Sequence, residues 1–183
     1  MLDAEALEFE PLDVLPDAMS VPPSTVWLAL DEGMDPQNLG AMLRSALFLG
    51  AGGVVTCARN SAPLSAAVSK ASAGAAETML LHSCRSMPRF LGRCVEAGWT
   101  VLGAAGEEGA VAAASVPADI GPILVVLGNE GAGLRQAVRA QCNGGLVAVE
   151  GGAPDESGVD SLNVSVACGV LLHSLLHGRA KSA

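Results

Sequence analysis

Apolar runs of strand length alternate along this chain with stretches whose apolar positions recur at helical spacing. VWLAL (26–30) is continuously apolar and gives way to turn-forming residues from Asp31 to Pro36. From Asn38 to Leu49 the apolar residues Leu39, Met42, Leu43, Ala46 and Leu47 fall on one helical face, and Gly50 ends the pattern. GVVTC (53–57) reads as a second strand. The small-residue stretch 61–76 predicts a short helix, and TMLL (78–81) a third strand. A helix over 87–97 leads into WTVLGA (99–104). PILVVLG (122–128) is the clearest buried strand. LRQAVRA (134–140) predicts a short helix, GLVAV (145–149) the last strand, and 161–176 the final helix. Six strands alternating with helices predict an α/β fold with a mainly parallel sheet flanked by helices.

Composition narrows the picture. Of the 183 residues half are hydrophobic, yet Tyr is absent, Phe occurs three times and Trp twice. The core is therefore aliphatic, and a platform of exposed aromatics for stacking bases is excluded. No apolar run reaches the ~18 residues that suggest a membrane span. The net charge of −9 is uneven. Asp3, Glu5, Glu8, Glu10, Asp13 and Asp17 precede any basic residue, and Pro11, Pro16, Pro22 and Pro23 interrupt them. Residues 1–25 thus read as an acidic, proline-containing linker or arm before a domain over 26–183. The mildly acidic body does not grip phosphate backbones strongly by itself. Five cysteines without a C-x-x-C indicate free thiols in a reducing compartment. The first ten residues lack the basic and apolar regions of a secretory signal and the Arg of a transit peptide.

Three segments differ from plain scaffold. The first, DEGMDPQNLGAMLRSA (31–46), follows a strand, where open α/β sheets bind ligands. Asp35 or Asn38 suits a helix cap, with Pro36 in the turn before it. Arg44 stands on a helix otherwise built from Ala, Leu and Met. It is either a solvated charge or an anion contact. The second, LGNEGAGL (127–134), is a glycine-rich turn between a strand and a helix. Such a turn brings backbone close to a ligand or simply closes tightly. It departs from G-x-G-x-x-G, and the acid Glu130 at its tip is not a demand of the turn. The third, SLNVSVACGVLL (161–172), begins the last helix, with Ser161 or Asp160 as cap. A capped, buried helix accounts for it, except for Asn163 within an apolar stretch.

Other residues carry less. His173 and His177 have metal-pair spacing on a helix, but no third ligand accompanies them, and no metal is expected. Ser69 and Lys70 lack the surroundings of a Ser/Lys nucleophile. Arg59, Asn60 and Lys70 make the middle of the chain locally basic, a phosphate-facing surface for RNA.

In this order and spacing the three segments resemble the SpoU/TrmH family of the SPOUT superfamily, S-adenosylmethionine-dependent RNA ribose 2′-O-methyltransferases. The first family motif is matched by Asp31, Asp35, Pro36, Asn38, Gly40, Ala41, Arg44, Ser45 and Ala46, then Leu49, Gly50 and Ala51. The second is matched over Leu127 to Leu134 and the third over Ser161 to Ala167. The stretch 59–77 is similar to the branch that methylates a guanosine of mitochondrial large-subunit rRNA. The resemblance implies a sheet with a deep C-terminal trefoil knot and a homodimer whose sites are completed across the interface. It implies cofactor loops at Gly103, Ala104 and Ala105, at Leu127, Gly128, Asn129, Glu130 and Gly131, and at Val147, Val149, Ser161, Leu162 and Asn163. Arg44 is then the catalytic and RNA-contacting residue, positioned with Asn38, Glu130, Ser161 and Asn163. Where the family often has Ile-Pro-Met, this chain has VAVEG (147–151), with Glu150 near the cofactor edge. The family frequently adds an N-terminal RNA-binding domain, and the resemblance implies that residues 1–25 are the linker after one. The implied compartment is mitochondrial, otherwise cytoplasmic. The rival expectations are a non-catalytic RNA- or partner-binding member and a dinucleotide-binding oxidoreductase domain, which the lack of an early G-x-G-x-x-G disfavours.

Overall fold

The computed structural model describes residues 7–32, 34–59, 62–129, 131–151 and 161–178. The chain forms β1 (Glu10–Pro11), β2 (Val26–Leu30), α1 (Pro36–Leu49), β3 (Val54–Cys57), α2 (Ala66–Ser72), β4 (Leu81–Cys84), α3 (Met87–Glu96) and β5 (Thr100–Ala104). It continues with β6 (Val111–Ala112), β7 (Ile123–Leu127), α4 (Gln136–Arg139), β8 (Leu146–Ala148) and α5 (Val164–His177). The eight strands make one sheet in the order β1-β4-β3-β2-β7-β5-β8-β6, and its described pairings are all parallel. No helix among the described residues is long and apolar enough to cross a membrane.

The alternation of side chains along a strand sorts the core into two layers. Val26, Leu28 and Leu30 of β2, with Ile123, Val125 and Leu127 of β7, pack against α1 and α5. Trp27 and Ala29, with Leu124 and Val126, face the opposite layer, where Phe90 and Leu91 of α3 and Val138 of α4 cover them. Both central strands are buried throughout, which explains their unbroken apolar runs. Trp27 sets a local constraint. Its ring stacks on His82 with centroids 5.9 Å apart. A Cβ built on Gly53 would lie 2.5 Å from its ring carbons, so only glycine admits the indole there.

Helix starts follow local chemistry. Asp35 caps α1, its carboxylate accepting from the backbone N–H of Gln37 at 2.8 Å and of Asn38 at 3.2 Å, and Pro36 occupies the first turn. The helix therefore begins two residues before the expected Asn38. Asn163, rather than Ser161 or Asp160, caps α5, accepting from the N–H of Ser165 at 2.9 Å. Asp160 lies outside the described residues.

Two further differences have physical reasons. The third large strand is Leu81–Cys84 rather than 78–81. The N–H groups of Thr78 and Met79 are committed to the carbonyl of Ala75, so the turn that follows the 3-10 helix Ala75–Glu77 reaches Met79. The strands β1 and β6 are only two residues long, too short to show a period, and lie outside the six expected strands. The expected acidic arm is laid on the body over part of its length. β1 pairs with β4, Leu15 is buried, and the Trp99 indole N–H donates to the carbonyl of Pro16 at 2.8 Å.

Replacing Gly53 by Ala is expected to cost about 1–3 kcal/mol through forced displacement of the Trp27 ring. Urea unfolding of the variant against the parent chain checks this.

Candidate functional site

Parallel strands bring all their C-terminal ends to one edge of the sheet, and a cavity of about 480 Å³ opens there beside β5, β7 and β8. Ala104, Ala105 and Gly106 form one wall where β5 ends. Leu127, Gly128, Asn129 and Gly133 form a second, after β7. Val147 to Gly151 form a third, after β8. Ser161, Leu162, Val164, Ala167 and Leu171 close it from the start of α5.

The wall after β7 is a turn folded onto itself. The N–H of Asn129 donates to the carbonyl of Gly133 at 3.1 Å, and the N–H of Gly133 returns the bond at 2.9 Å. The Asn129 side-chain carbonyl accepts from the N–H groups of Gly131 and Ala132. A Cβ on Gly128 would lie 2.1 Å from the carbonyl oxygen of Gly133, and Gly133 itself has φ +66°. Both glycines are therefore dictated by the turn.

The turn is stapled to the central strand. Asp31, directly after β2, has no solvent exposure. Arg135, directly after the turn, donates to it from Nε at 2.8 Å and Nη2 at 2.5 Å, a two-pronged charge-assisted contact. Glu32 adds a second carboxylate 3.2 Å from the same Nε. The hydrogen bond to Asp31 raises the Arg135 pKa further above its usual range, with a smaller opposing effect of burial. The Asp31 N–H also donates to the carbonyl of Leu127 at 3.0 Å, so the ends of β2 and β7 are joined twice.

The first and third sequence segments meet beside the cavity. The Asn163 side-chain N–H₂ donates to the side-chain carbonyl of Asn38 at 3.1 Å, and Asn38 donates to Asp35 at 2.5 Å. The start of α1 is thereby tied to the start of α5, whose preceding residues Ser161 and Leu162 line the cavity. Arg44 lies six residues further along α1, about 9 Å along the axis. It is exposed, is not on the wall of this chain's cavity, and forms no ion pair with a described residue.

Of the expected cofactor residues, Ala104, Ala105, Leu127, Gly128, Asn129, Val147, Val149, Ser161 and Leu162 line the cavity. Gly103 does not. It sits within β5, where a Cβ would strike Leu134, Leu146 and Cys142, so it serves packing. Gly131 lies on the outside of its turn, and Asn163 acts through its cap and its bond to Asn38. Glu130 and Asn60 lie outside the described residues. Arg59 lines a separate cleft, while Lys70 is in the last turn of α2, which packs on α1. The rings of His173 and His177 are neighbours, centroids 4.8 Å apart.

The Asp31–Arg135 staple was missed in the sequence, although an acid placed directly after a buried strand and an Arg directly after a glycine turn were its visible signs. Burial pushes the thiols of Cys168 and Cys84 up to about 12, the latter helped by Cys57, and those of Cys94 and Cys142 to about 11. These four cysteines are thus protonated near neutral pH and unsuited to nucleophilic chemistry.

A parallel α/β sheet with a cavity at the C-terminal ends of β5, β7 and β8 defines a ligand-binding fold with a site for a small cofactor. The chain belongs to the SpoU rRNA Methylase family, whose pattern it matches over residues 25–173. It is 43% identical over 166 residues to the human mitochondrial rRNA methyltransferase 1, covering 86% of this chain and 47% of that protein. It is 39% identical over 153 residues to the 23S rRNA (guanosine-2′-O-)-methyltransferase RlmB of Shewanella oneidensis, covering 83% and 59%. The chain thus spans about half the length of these relatives. Its fold matches the crystal structure of an AdoMet-bound rRNA methyltransferase from Sinorhizobium meliloti with a TM-score of 0.76 at 24% identity, covering 96% of this chain and 62% of that one.

Replacing Arg135 by Ala leaves a buried carboxylate without its fork. The expected loss is roughly 2–3 kcal/mol, below the ~3–5 kcal/mol of a fully buried pair because the Arg135 side chain is 41% exposed. The double variant Asp31→Asn/Arg135→Ala should recover part of that loss. Denaturant titration of both variants tests the order.

Proposed function

We propose that this chain is the catalytic domain of an enzyme that methylates a ribose 2′-hydroxyl in RNA, with S-adenosylmethionine as donor. The substrate in this reading is a guanosine of large-subunit rRNA, and the compartment is the mitochondrion. The carrying observation is the cavity: about 480 Å³, walled by three turns after parallel strands and joined to the Asn38–Asn163 bridge. The names of the human and bacterial relatives support the substrate, and the human name supports the compartment.

The residues present suit the donor. The volume falls in the range of small-ligand sites, ~300–1,000 Å³. Leu127, Val147 and Leu171 offer an apolar bed for a base, and the turns after β5, β7 and β8 offer backbone polar groups. Glu150, on the wall, adds an acceptor for hydroxyl or ammonium groups. When bound, the donor supplies an electrophilic methyl group on a sulfonium.

A ribose hydroxyl is a weak nucleophile and sheds its proton as attack proceeds. Arg44 is assigned to the partner's site in a homodimer. A guanidinium is no general base, so its work is to hold a phosphate and steady developing negative charge on the oxygen. Arg44, Leu47 and Phe48 share one face of α1 at spacings of three and four, and Phe48 is 88% exposed. Val166 and Val170 expose a matching stripe on the adjoining α5. A symmetric apolar contact there would bury these side chains and carry Arg44 toward the neighbouring cavity. Asn38, Ser161 and Asn163, with Glu130, are positioning residues in this reading.

The proposal includes the family's C-terminal knot and an N-terminal RNA-binding domain outside this chain. The knot is supported by the path of the chain, which enters β8 beyond β5 and ends in a helix packed on α1 beside β2.

Labelled methyl transfer to deproteinised large-subunit rRNA, followed by alkaline hydrolysis, should yield label in alkali-resistant dinucleotides. Arg44→Ala should lower the rate at least about 10²-fold and leave donor affinity unchanged. Full activity of that variant would remove Arg44 from the mechanism, and label in bases rather than ribose would overturn the reaction.

A further inference from the structure

A second cleft, of about 340 Å³, opens on the same edge of the sheet, away from the cofactor cavity. Arg59 after β3, Arg85 after β4, Arg89 in the first turn of α3 and Arg135 line it. Four of the chain's ten basic residues thus converge on one concavity, in a molecule whose net charge is −9. Arg135 is already committed to Asp31 and Glu32. Arg59, Arg85 and Arg89 are exposed and form no ion pair with a described residue.

The start of α3 points the same way. Ser86 caps it without a side-chain hydrogen bond to the first turn. Ser86, Met87, Pro88 and Arg89 of that start line the cleft, so the positive end of the α3 dipole lies at it. Gathering three guanidinium groups without a neutralising acid costs repulsion, which an anion would relieve. Guanidinium forks match phosphate oxygens in shape and charge.

We propose that this cleft binds phosphates of the RNA strand whose ribose enters the cofactor cavity. The inference rests on the reading of the substrate as RNA and adds a subsite to it. In the sheet order β3 and β4 are two and three strands from β7, about 10–14 Å at ~4.8 Å per strand. A single RNA strand laid along this edge therefore meets the cavity and the cleft together. The cleft supplies to a mildly acidic body the phosphate contacts that its overall charge denies it.

The test compares the chain with its Arg85→Ala/Arg89→Ala variant, both side chains lying at the surface. Affinity for a single-stranded fragment of large-subunit rRNA is measured at several salt concentrations, with inorganic phosphate as competitor at matched ionic strength. Loss of two phosphate contacts should weaken binding on the order of tenfold at low salt. It should also flatten the slope of log affinity against log salt by about 1.4, at ~0.7 per phosphate for single strands. The KM for RNA should rise with kcat and donor affinity unchanged. Equal affinities and slopes overturn the inference. So does a cleft that takes inorganic phosphate in the parent chain alone while both proteins bind RNA equally. Absence of methyl transfer by the parent chain with the difference in slope intact would instead overturn the enzymatic reading and leave the cleft standing.

Discussion

A carboxylate with no access to water ends the central strand, and the layout of the site follows from how it is satisfied. Burying a carboxylate there is costly unless a partner satisfies its oxygens. The partner is Arg135, which lies directly after the glycine turn of β7. Pairing them fixes where the turn leaves the sheet, and the backbone bond from Asp31 to Leu127 fixes the strand below it. The cavity wall from Leu127 to Gly133 is therefore set by an interaction on its far side. The same Arg135 also lines the basic cleft, so the side chain that holds the turn belongs to the cleft as well.

The cavity wall joins glycine, alanine and serine to the aliphatic side chains of Leu127, Val147, Val149, Leu162, Val164 and Leu171. Its shape depends less on particular functional groups than on turns that close tightly. Gly128 is the tightest point, because any side chain there would collide with the carbonyl of Gly133. The Asn38–Asn163 bond carries this geometry to α1, the helix that presents Arg44. This explains how three sequence segments far apart in the chain act as one unit. Arg44 itself is exposed and stands off the wall of its own chain's cavity.

The large elements were legible because their apolar patterns answer to one cause each. β2 and β7 are covered by helices on both faces, so they read as unbroken apolar runs, and α1 buries a single stripe. The errors came where local bonding competed with pattern. Thr78 and Met79 are apolar enough for a strand, yet their N–H groups had already been taken by Ala75. Many residues of the cavity wall were named through the family resemblance, and only the glycine-rich turn after β7 stood out from the residues themselves. Gly103 lies within β5 and off the cavity wall, and a glycine that makes room for Leu134 looks the same in sequence as one that makes room for a ligand. The Asp31–Arg135 pair spans 104 residues and the basic cleft gathers side chains from three separate segments. Neither has a local signal, since each depends on strand order.

The central claim is that the cavity after β5, β7 and β8 holds the methyl donor. Titration calorimetry of this chain with S-adenosylmethionine and S-adenosylhomocysteine, with NAD as the control, tests it most directly. The account predicts saturable binding of the donor and its product at about one per chain, and none of NAD. A folded chain that bound NAD, or that bound neither donor nor product, would contradict it.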